Sequence, residues 1–283
     1  MKLARTTITE LMIMRLSPSN PEGSYNMTNR LRSVLNIVLF SCMVTMNYLA
    51  NALPLNGITQ REISAQYQIY LTPAGYVFAI WGLIYLGLAA YICWQALPRH
   101  VDNPRLRCLD LPFGISCLCN MLWIVVWHYQ YLSLSVGVML GLLGSLIWIY
   151  KRLEAGRQHT TGAALWLTEQ TFSVYLGWVS LATMLNVAIW LYSYGWNGAP
   201  LAPQSWAIIM LLVAASLYLF IGFSRRDAAI LWVLSWAAIG IGIKHQTEAM
   251  MWYSGLLVAL IGGIAALYIT VRTKPAALAS NQP

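Results

Sequence analysis

Six stretches of this sequence contain no charged residue: 33–60, 63–98, 111–150, 170–224, 228–243 and 249–271. An ionised side chain is costly in hydrocarbon, so long uncharged and apolar runs are read as membrane spans. At about 1.5 Å per residue, an α-helix crosses a hydrocarbon core of about 30 Å in about 20 residues. The runs 111–150 and 170–224 are each long enough for two crossings. The six runs therefore predict eight transmembrane helices. The balance of residue types agrees, with 59% hydrophobic and 9% charged against about 25% charged in soluble domains. A water-soluble globular domain is excluded.

The shortest run, 228–243, earns its place from the distribution of cations. With eight spans and the N-terminus inside, all but two of the 17 lysines and arginines fall in inner segments, the exceptions being Arg61 and Lys244. Deleting the short span would turn Arg272 and Lys274 outward, against the positive-inside rule. The expected protein sits in a bacterial inner (cytoplasmic) membrane with both ends in the cytoplasm. Topology also accounts for the formal charge of +8. The cations lie in separate loops instead of one stripe interleaved with aromatics, so no nucleic-acid partner is expected.

The chain divides into a disordered cytoplasmic tail at 1–33, a five-helix bundle at 34–193, three further transmembrane helices at 194–272 and a short cytoplasmic tail at 273–283. Residues 1–26 are polar and mixed, and Met27 opens MTNRLRSVLNIVLF, itself a plausible beginning for a membrane protein, so the first 26 residues are read as of open origin. Gly137 and Gly141 stand at GxxxG spacing, which suits either packing inside the bundle or a homodimer face. Cys42, Cys93, Cys108, Cys117 and Cys119 show no CxxC spacing, and neither a disulfide framework nor a metal site is expected. His128 lacks a partner ligand at useful spacing and reads as an interfacial or packing histidine before a haem or metal ligand. Glu169 is the charge nearest a span core; it is placed at the inner headgroup level, with proton or cation handling as the alternative.

Thirteen tryptophans are present, and several fit the usual interfacial belt. A second group combines aromatics with amides within spans: Trp81 and Tyr85 on the second, Asn120, Trp123 and Trp127 on the third, Tyr175, Trp178, Asn186 and Trp190 on the fifth. Spacings of three and four residues place the members of each group on one helix face. Counting along the helices brings Trp81, Asn120, Trp123 and Asn186 to similar depths in the outer half. They are candidates for one pocket open outward. A buried amide in lipid needs partners, so Asn120 and Asn186 either bond across helices or face a ligand.

The fifth span, VYLGWVSLATMLNVAIW from Val174 to Trp190, resembles the PYLxWxxxAxxLNxxxW motif of the tryptophan-rich sensory and translocator proteins (TspO/MBR, peripheral benzodiazepine receptor family). CNMLWIVVWH in the third span and TPAGYVFAIWGLIY in the second resemble that family's LNxxW and PPxWVFxPVWxxLY. The likeness covers about Val34 to Trp190, and spans six to eight lie outside it, as in a longer relative. Val174 stands where the family has proline. A loose match to the family's sterol pattern falls around Tyr150 and Arg152.

The resemblance implies a non-enzymatic, membrane-embedded receptor or sensory protein whose five-helix bundle takes a tetrapyrrole such as protoporphyrin IX, or a sterol-like molecule. No cofactor is required; a bound porphyrin is conceivable as ligand. A flat macrocycle would stack on Trp81, Trp123 and Trp178, with Asn120 and Asn186 at its polar edge. The alternative is a small-molecule or lipid transporter that uses the three extra helices.

Overall fold

A computed structural model of the chain describes residues 21–53, 55–154, 162–196 and 198–272, with backbone alone at 21–26, 28 and 61. Among the described residues every regular element is helical. This is what an apolar solvent demands, because a helix satisfies its own backbone donors and acceptors within one segment. The helices are α1 (Pro21–Ala52), α2 (Gln60–Gln66), α3 (Ile80–Gln95, entered through a 3-10 turn at Gly75–Ala79) and α4 (Pro104–Arg107). They continue as α5 (Asp110–His128), α6 (Leu132–Leu153), α7 (Thr171–Ser193, entered through a π-helical turn at Leu165–Gln170), α8 (Pro203–Arg225), α9 (Ala228–Lys244) and α10 (Ala249–Arg272).

Seven of these segments are long and apolar enough to cross a membrane. The remaining apolar helix, α9, has 17 residues, or about 25 Å at the usual rise, somewhat under a full hydrocarbon thickness. It is apolar on nearly every face; most residues from Ala229 to Gly242 are buried, and Trp232, Trp236 and Ile243 form one exposed stripe along it. Such a helix belongs inside a bundle. Small residues let it pack closely: a Cβ on Gly255 of α10 would stand 2.8 Å from the Ala238 carbonyl oxygen, and one on Gly262 would stand 2.6 Å from Ser235 Oγ. The order of these contacts makes α9 and α10 an antiparallel pair.

α1 begins at Pro21, well before Val34, so the described part of the expected 1–33 tail is helical. Asn29 Nδ2 donates to Asp102 at 2.7 Å within this extension, and Asn36 Nδ2, just past it, donates to Asp110 at 2.7 Å. The rest of that tail, residues 1–20, and the tail at 273–283 lie outside the described residues.

One core joins α1, α3, α5, α6 and α7 and also takes in Val233 and Ala237 of α9, while α8, α9 and α10 share a second core. The outer surface is apolar too, with Leu83, Leu86, Leu118, Phe220, Leu257 and Leu267 each more than half exposed. Apolar side chains inside and outside, on helices of spanning length, make this an integral membrane protein. The GxxxG pair divides: a Cβ on Gly141 would lie 3.3 Å from Cys119 Sγ of α5, whereas Gly137 is exposed with open space before it.

Candidate functional site

The cavity of interest lies at the end of the bundle that carries α2. Its volume is about 70 Å³. Tryptophans from three helices line it: Trp81 of α3, Trp123 and Trp127 of α5, and Trp178 of α7. Phe78, Leu181, Leu185 and Asn186 complete that side, and Gln60 and Ser64 of α2 stand at the rim. α2 is held by a capping box, with Thr59 and Glu62 bonded reciprocally at 2.8 and 3.3 Å. The Thr59 backbone N–H and then its hydroxyl stabilise the Glu62 carboxylate and hold its pKa below the ordinary 4.5.

The four indoles form two stacks and one edge contact. Trp81 lies flat on Tyr85, with centroids 5.4 Å apart and planes 20° apart, and Trp123 lies on Trp127 at 5.4 Å and 23°. Trp178 meets Trp81 at 87° and Phe78 at 88°. One face each of Trp81 and Trp123 is thus already covered by a neighbouring ring. The near-perpendicular Trp81 and Trp178 cannot both lie face-on to one flat ligand in this arrangement.

The amides work across helices. Asn47 Nδ2 of α1 donates to Asn120 Oδ1 at 2.7 Å, and Asn120 Nδ2 donates to the Tyr175 hydroxyl at 3.2 Å, which links α1, α5 and α7. Trp123 Nε1 donates to Asn186 Oδ1 at 2.9 Å, and Asn186 Nδ2 to Ser135 Oγ at 2.8 Å, which links α5, α7 and α6. Asn186 still reaches the cavity wall; Asn120 is buried away from it. Of the two roles open to these amides, bonding across helices is the one both perform. Three of the lining residues carry a buried polar atom without a hydrogen-bond partner, Ser64 Oγ, Trp127 Nε1 and Trp178 Nε1, and each of these atoms is turned away from open space.

Of the nine residues expected to bind ligand, Trp81, Trp123, Trp127, Trp178 and Asn186 meet at the cavity. Tyr85 and Tyr175 sit behind them, Tyr85 stacked on Trp81 and Tyr175 edge-on to it at 5.9 Å. Trp190 stands outside the lining with its ring edge on Tyr194 at 6.0 Å. The sequence alone did not single out Asn47, Gln60 or Ser64, nor the contributions from the appended helices, Leu211 and Ala214 of α8 and Ala237 and Ile241 of α9. None of these belongs to the motifs quoted above. A lone polar residue or alanine in an apolar run has no pattern to mark it.

Other candidates resolve into structural parts. Glu169, in the π-helical turn, is 2% exposed and pairs with Arg105 at 2.6 Å, and Arg105 also reaches the Leu153 carbonyl at 3.1 Å, so the pair joins the turn to the arginine-rich end of α6. His128 is fully buried, its Nδ1 hydrogen-bonded to the Ile124 carbonyl at 2.7 Å, a packing histidine. Tyr150 is buried and donates to Asp227 Oδ2 at 3.0 Å, which removes it from any lipid-facing sterol motif. Among the described residues no three His, Cys, Asp or Glu gather as a metal site would require.

The fold and the site together define a polytopic α-helical membrane protein with a tryptophan-lined internal cavity. The sequence matches the TSPO-like protein family over residues 33–271, and the chain belongs to that family. The match runs on through α8, α9 and α10, well past Trp190. No curated protein and no solved structure matches the chain.

Proposed function

We propose that the protein is a membrane-embedded binding or sensory protein that takes a hydrophobic ligand into the tryptophan-lined cavity, without chemical turnover. The observation that carries this reading is the wall of four indoles with Asn186, Gln60 and Ser64 among the lining residues, since apolar lining with a few polar groups is the usual character of a small-molecule site. Trp81, Trp123, Trp127, Trp178 and Asn186 touch the ligand; Tyr85, Tyr175 and Asn120 hold those residues in place. Trp190 packs on Tyr194 at the end of α7, outside the lining. Family membership favours ligand binding, and the resemblance points to tetrapyrroles or sterol-like molecules as ligands. At about 70 Å³ the cavity is below the roughly 300–1,000 Å³ of drug-sized sites, so a tetrapyrrole would enter only with the rings spread apart.

The orientation follows from charge. The arginine-rich ends of α6, α8 and α10 face the cytoplasm of a bacterial inner membrane and the α2 end faces outward, with both termini inside. A transport reading draws on one observation, that α8 and α9 contribute to the cavity; against it, α8 to α10 are continuous helices with charges only at their ends. The test is titration of the purified protein with protoporphyrin IX, read by tryptophan fluorescence. Saturable quenching weakened about tenfold by Trp178→Ala supports the site. Quenching that never saturates, or that the variant leaves unchanged, removes it.

A further inference from the structure

Toward the arginine-rich ends of α8 and α10 a second hollow opens between these two helices, apart from the tryptophan cavity. Leu219 and Phe223 of α8 and Ile261, Ile264, Ala265 and Tyr268 of α10 line it, and its volume is about 540 Å³, within the roughly 300–1,000 Å³ of small-molecule sites. Both helices turn small residues to α9: a Cβ on Gly222 would stand 2.7 Å from Leu231, and one on Gly262 would stand 2.6 Å from Ser235 Oγ. Large residues occupy the opposite side. Phe223, Ile261, Ile264 and Tyr268 are 42–59% exposed, while Ala265, at 6%, forms the floor between them. The result is an apolar groove open to the lipid.

One end of the groove carries positive charge. Tyr268 stands beside Phe223 with ring centroids 6.2 Å apart, and the Arg272 guanidinium lies over the Tyr268 ring with Cζ 4.9 Å from its centroid. Arg272 is exposed and forms an ion pair with no carboxylate among the described residues. Arg226, which caps α8, is exposed as well. The carboxylate that follows it is committed elsewhere: Asp227 is 3% exposed and accepts from the Tyr150 hydroxyl and from the N–H groups of Ala229 and Ile230. A guanidinium stays charged and matches the oxygens of a phosphate with a fork of donors. We propose that this groove binds one anionic phospholipid, with an acyl chain along Leu219, Phe223 and Ile264 and the headgroup phosphate on Arg272. Basic pockets between helices on the cytoplasmic side suit anionic headgroups, and with the arginine ends inside, as proposed above, the lipid comes from the inner leaflet. The site shares no lining residue with the tryptophan cavity, so it stands or falls apart from ligand binding there.

The test uses the full chain in neutral detergent micelles and, as probe, a phosphatidylglycerol carrying a photoreactive diazirine midway along one acyl chain. Labelled residues are located by peptide mass spectrometry. Saturable labelling of Phe223 and of residues 261–268 is expected. Unlabelled phosphatidylglycerol should displace it at about fivefold lower concentration than phosphatidylcholine with the same chains, the effect of about one basic side chain on an anionic headgroup. Arg272→Gln should abolish that difference, and Arg272→Lys should keep most of it, because lysine keeps the charge. Ala265→Phe fills the floor and should weaken groove labelling about tenfold, while labelling at Leu83 and Leu86 on α3 continues unchanged. Should Ala265→Phe not fold, the Arg272 variants at the helix end still decide. Arg152→Gln, whose guanidinium lies against Trp148 of α6, should leave the preference as it is. Equal displacement by the two lipids overturns the charged site, as does a preference that survives Arg272→Gln or falls as far with Arg152→Gln. Labelling of 261–268 that never saturates overturns the groove, and cross-links between two copies of the chain through this face would give it to a second copy instead.

Discussion

Asn120 shows how a side chain that looks like a ligand contact can be a joint. Its amide accepts from Asn47 at 2.7 Å and donates to Tyr175 at 3.2 Å, all three side chains being buried. Asn120→Ala leaves Asn47 Nδ2 with its Met43 carbonyl contact alone and the Tyr175 hydroxyl without this donor. Stranding buried polar groups costs about 1–3 kcal/mol, so the variant should unfold at a lower temperature while the folded fraction binds protoporphyrin as before. Trp178→Ala should show the reverse balance, a larger loss of binding than of stability, and differential scanning calorimetry beside the protoporphyrin titration separates the two. Only half of this joint is legible in the sequence. Asn120 stands beside the recognisable Trp123, but Asn47 lies in an apolar span without a motif and declares itself only through its partner. Glu62 offers a pH-dependent test at the same scale. Its folded pKa is below the ordinary 4.5, so its contribution is complete above that value and is lost as pH falls through the lowered folded pKa. The protection of the α2 amides relative to their intrinsic exchange rate at each pH should therefore fall below the ordinary carboxylate range, and Glu62→Gln should remove most of that dependence.

At the scale of elements, the small residues of α9 and α10 decide whether the appended helices can close on the bundle. A Cβ on Gly255 would meet the Ala238 carbonyl oxygen, Gly242 Cα and Gly242 N at 2.8 Å, all of them backbone atoms that cannot rotate away. Gly255→Ala should push α9 and α10 apart and cost about 1–3 kcal/mol, read as a lower midpoint of thermal unfolding. Gly137→Ala, at an exposed glycine with open space before it, should leave that midpoint unchanged or raise it, since alanine favours a helix over glycine. The helices themselves were readable from uncharged runs, because hydrocarbon imposes one length and one secondary structure. Their packing was not: a glycine in an apolar run serves equally as contact, spacer or lipid-facing residue until its neighbour is known. The same ambiguity hid Ala214 and Ala237. Glu169 could be placed near the arginine-rich end by counting, but its burial depends on Arg105, which lies far away in sequence and is brought to 2.6 Å by the turn before α7.

At the scale of the whole molecule, the question the helix lengths leave sharpest is parity. Seven helices meet the crossing criterion, and an odd number of crossings would place the two ends of the chain on opposite sides of the membrane. The antiparallel contacts of α9 with α10 argue for an eighth crossing. Gly255 lies against Gly242, and Gly262 lies against Ser235 and the Leu231 carbonyl, so that moving along α10 toward Arg272 means moving back along α9 toward Arg225 and Arg226. Because α10 has 24 residues, enough for about 36 Å, it returns the chain across the full apolar layer to the level of those arginines. A cytoplasmic Arg225 therefore requires a cytoplasmic Arg272, and α9, short as it is, must carry the chain outward between them. A helix of about 25 Å can do this because neighbours bury all but the Trp232, Trp236 and Ile243 stripe and local thinning of the bilayer accommodates a short span. The expected outcome is a green fluorescent protein fused after Pro283 that glows in intact bacteria and an alkaline phosphatase fused at the same point that stays inactive. A phosphatase fused between Lys244 and Ala249 should be active. Active phosphatase at the C-terminal fusion would leave seven crossings and place the arginine cluster of Arg225, Arg226 and Arg272 on two different sides, which the antiparallel packing of α9 on α10 does not allow.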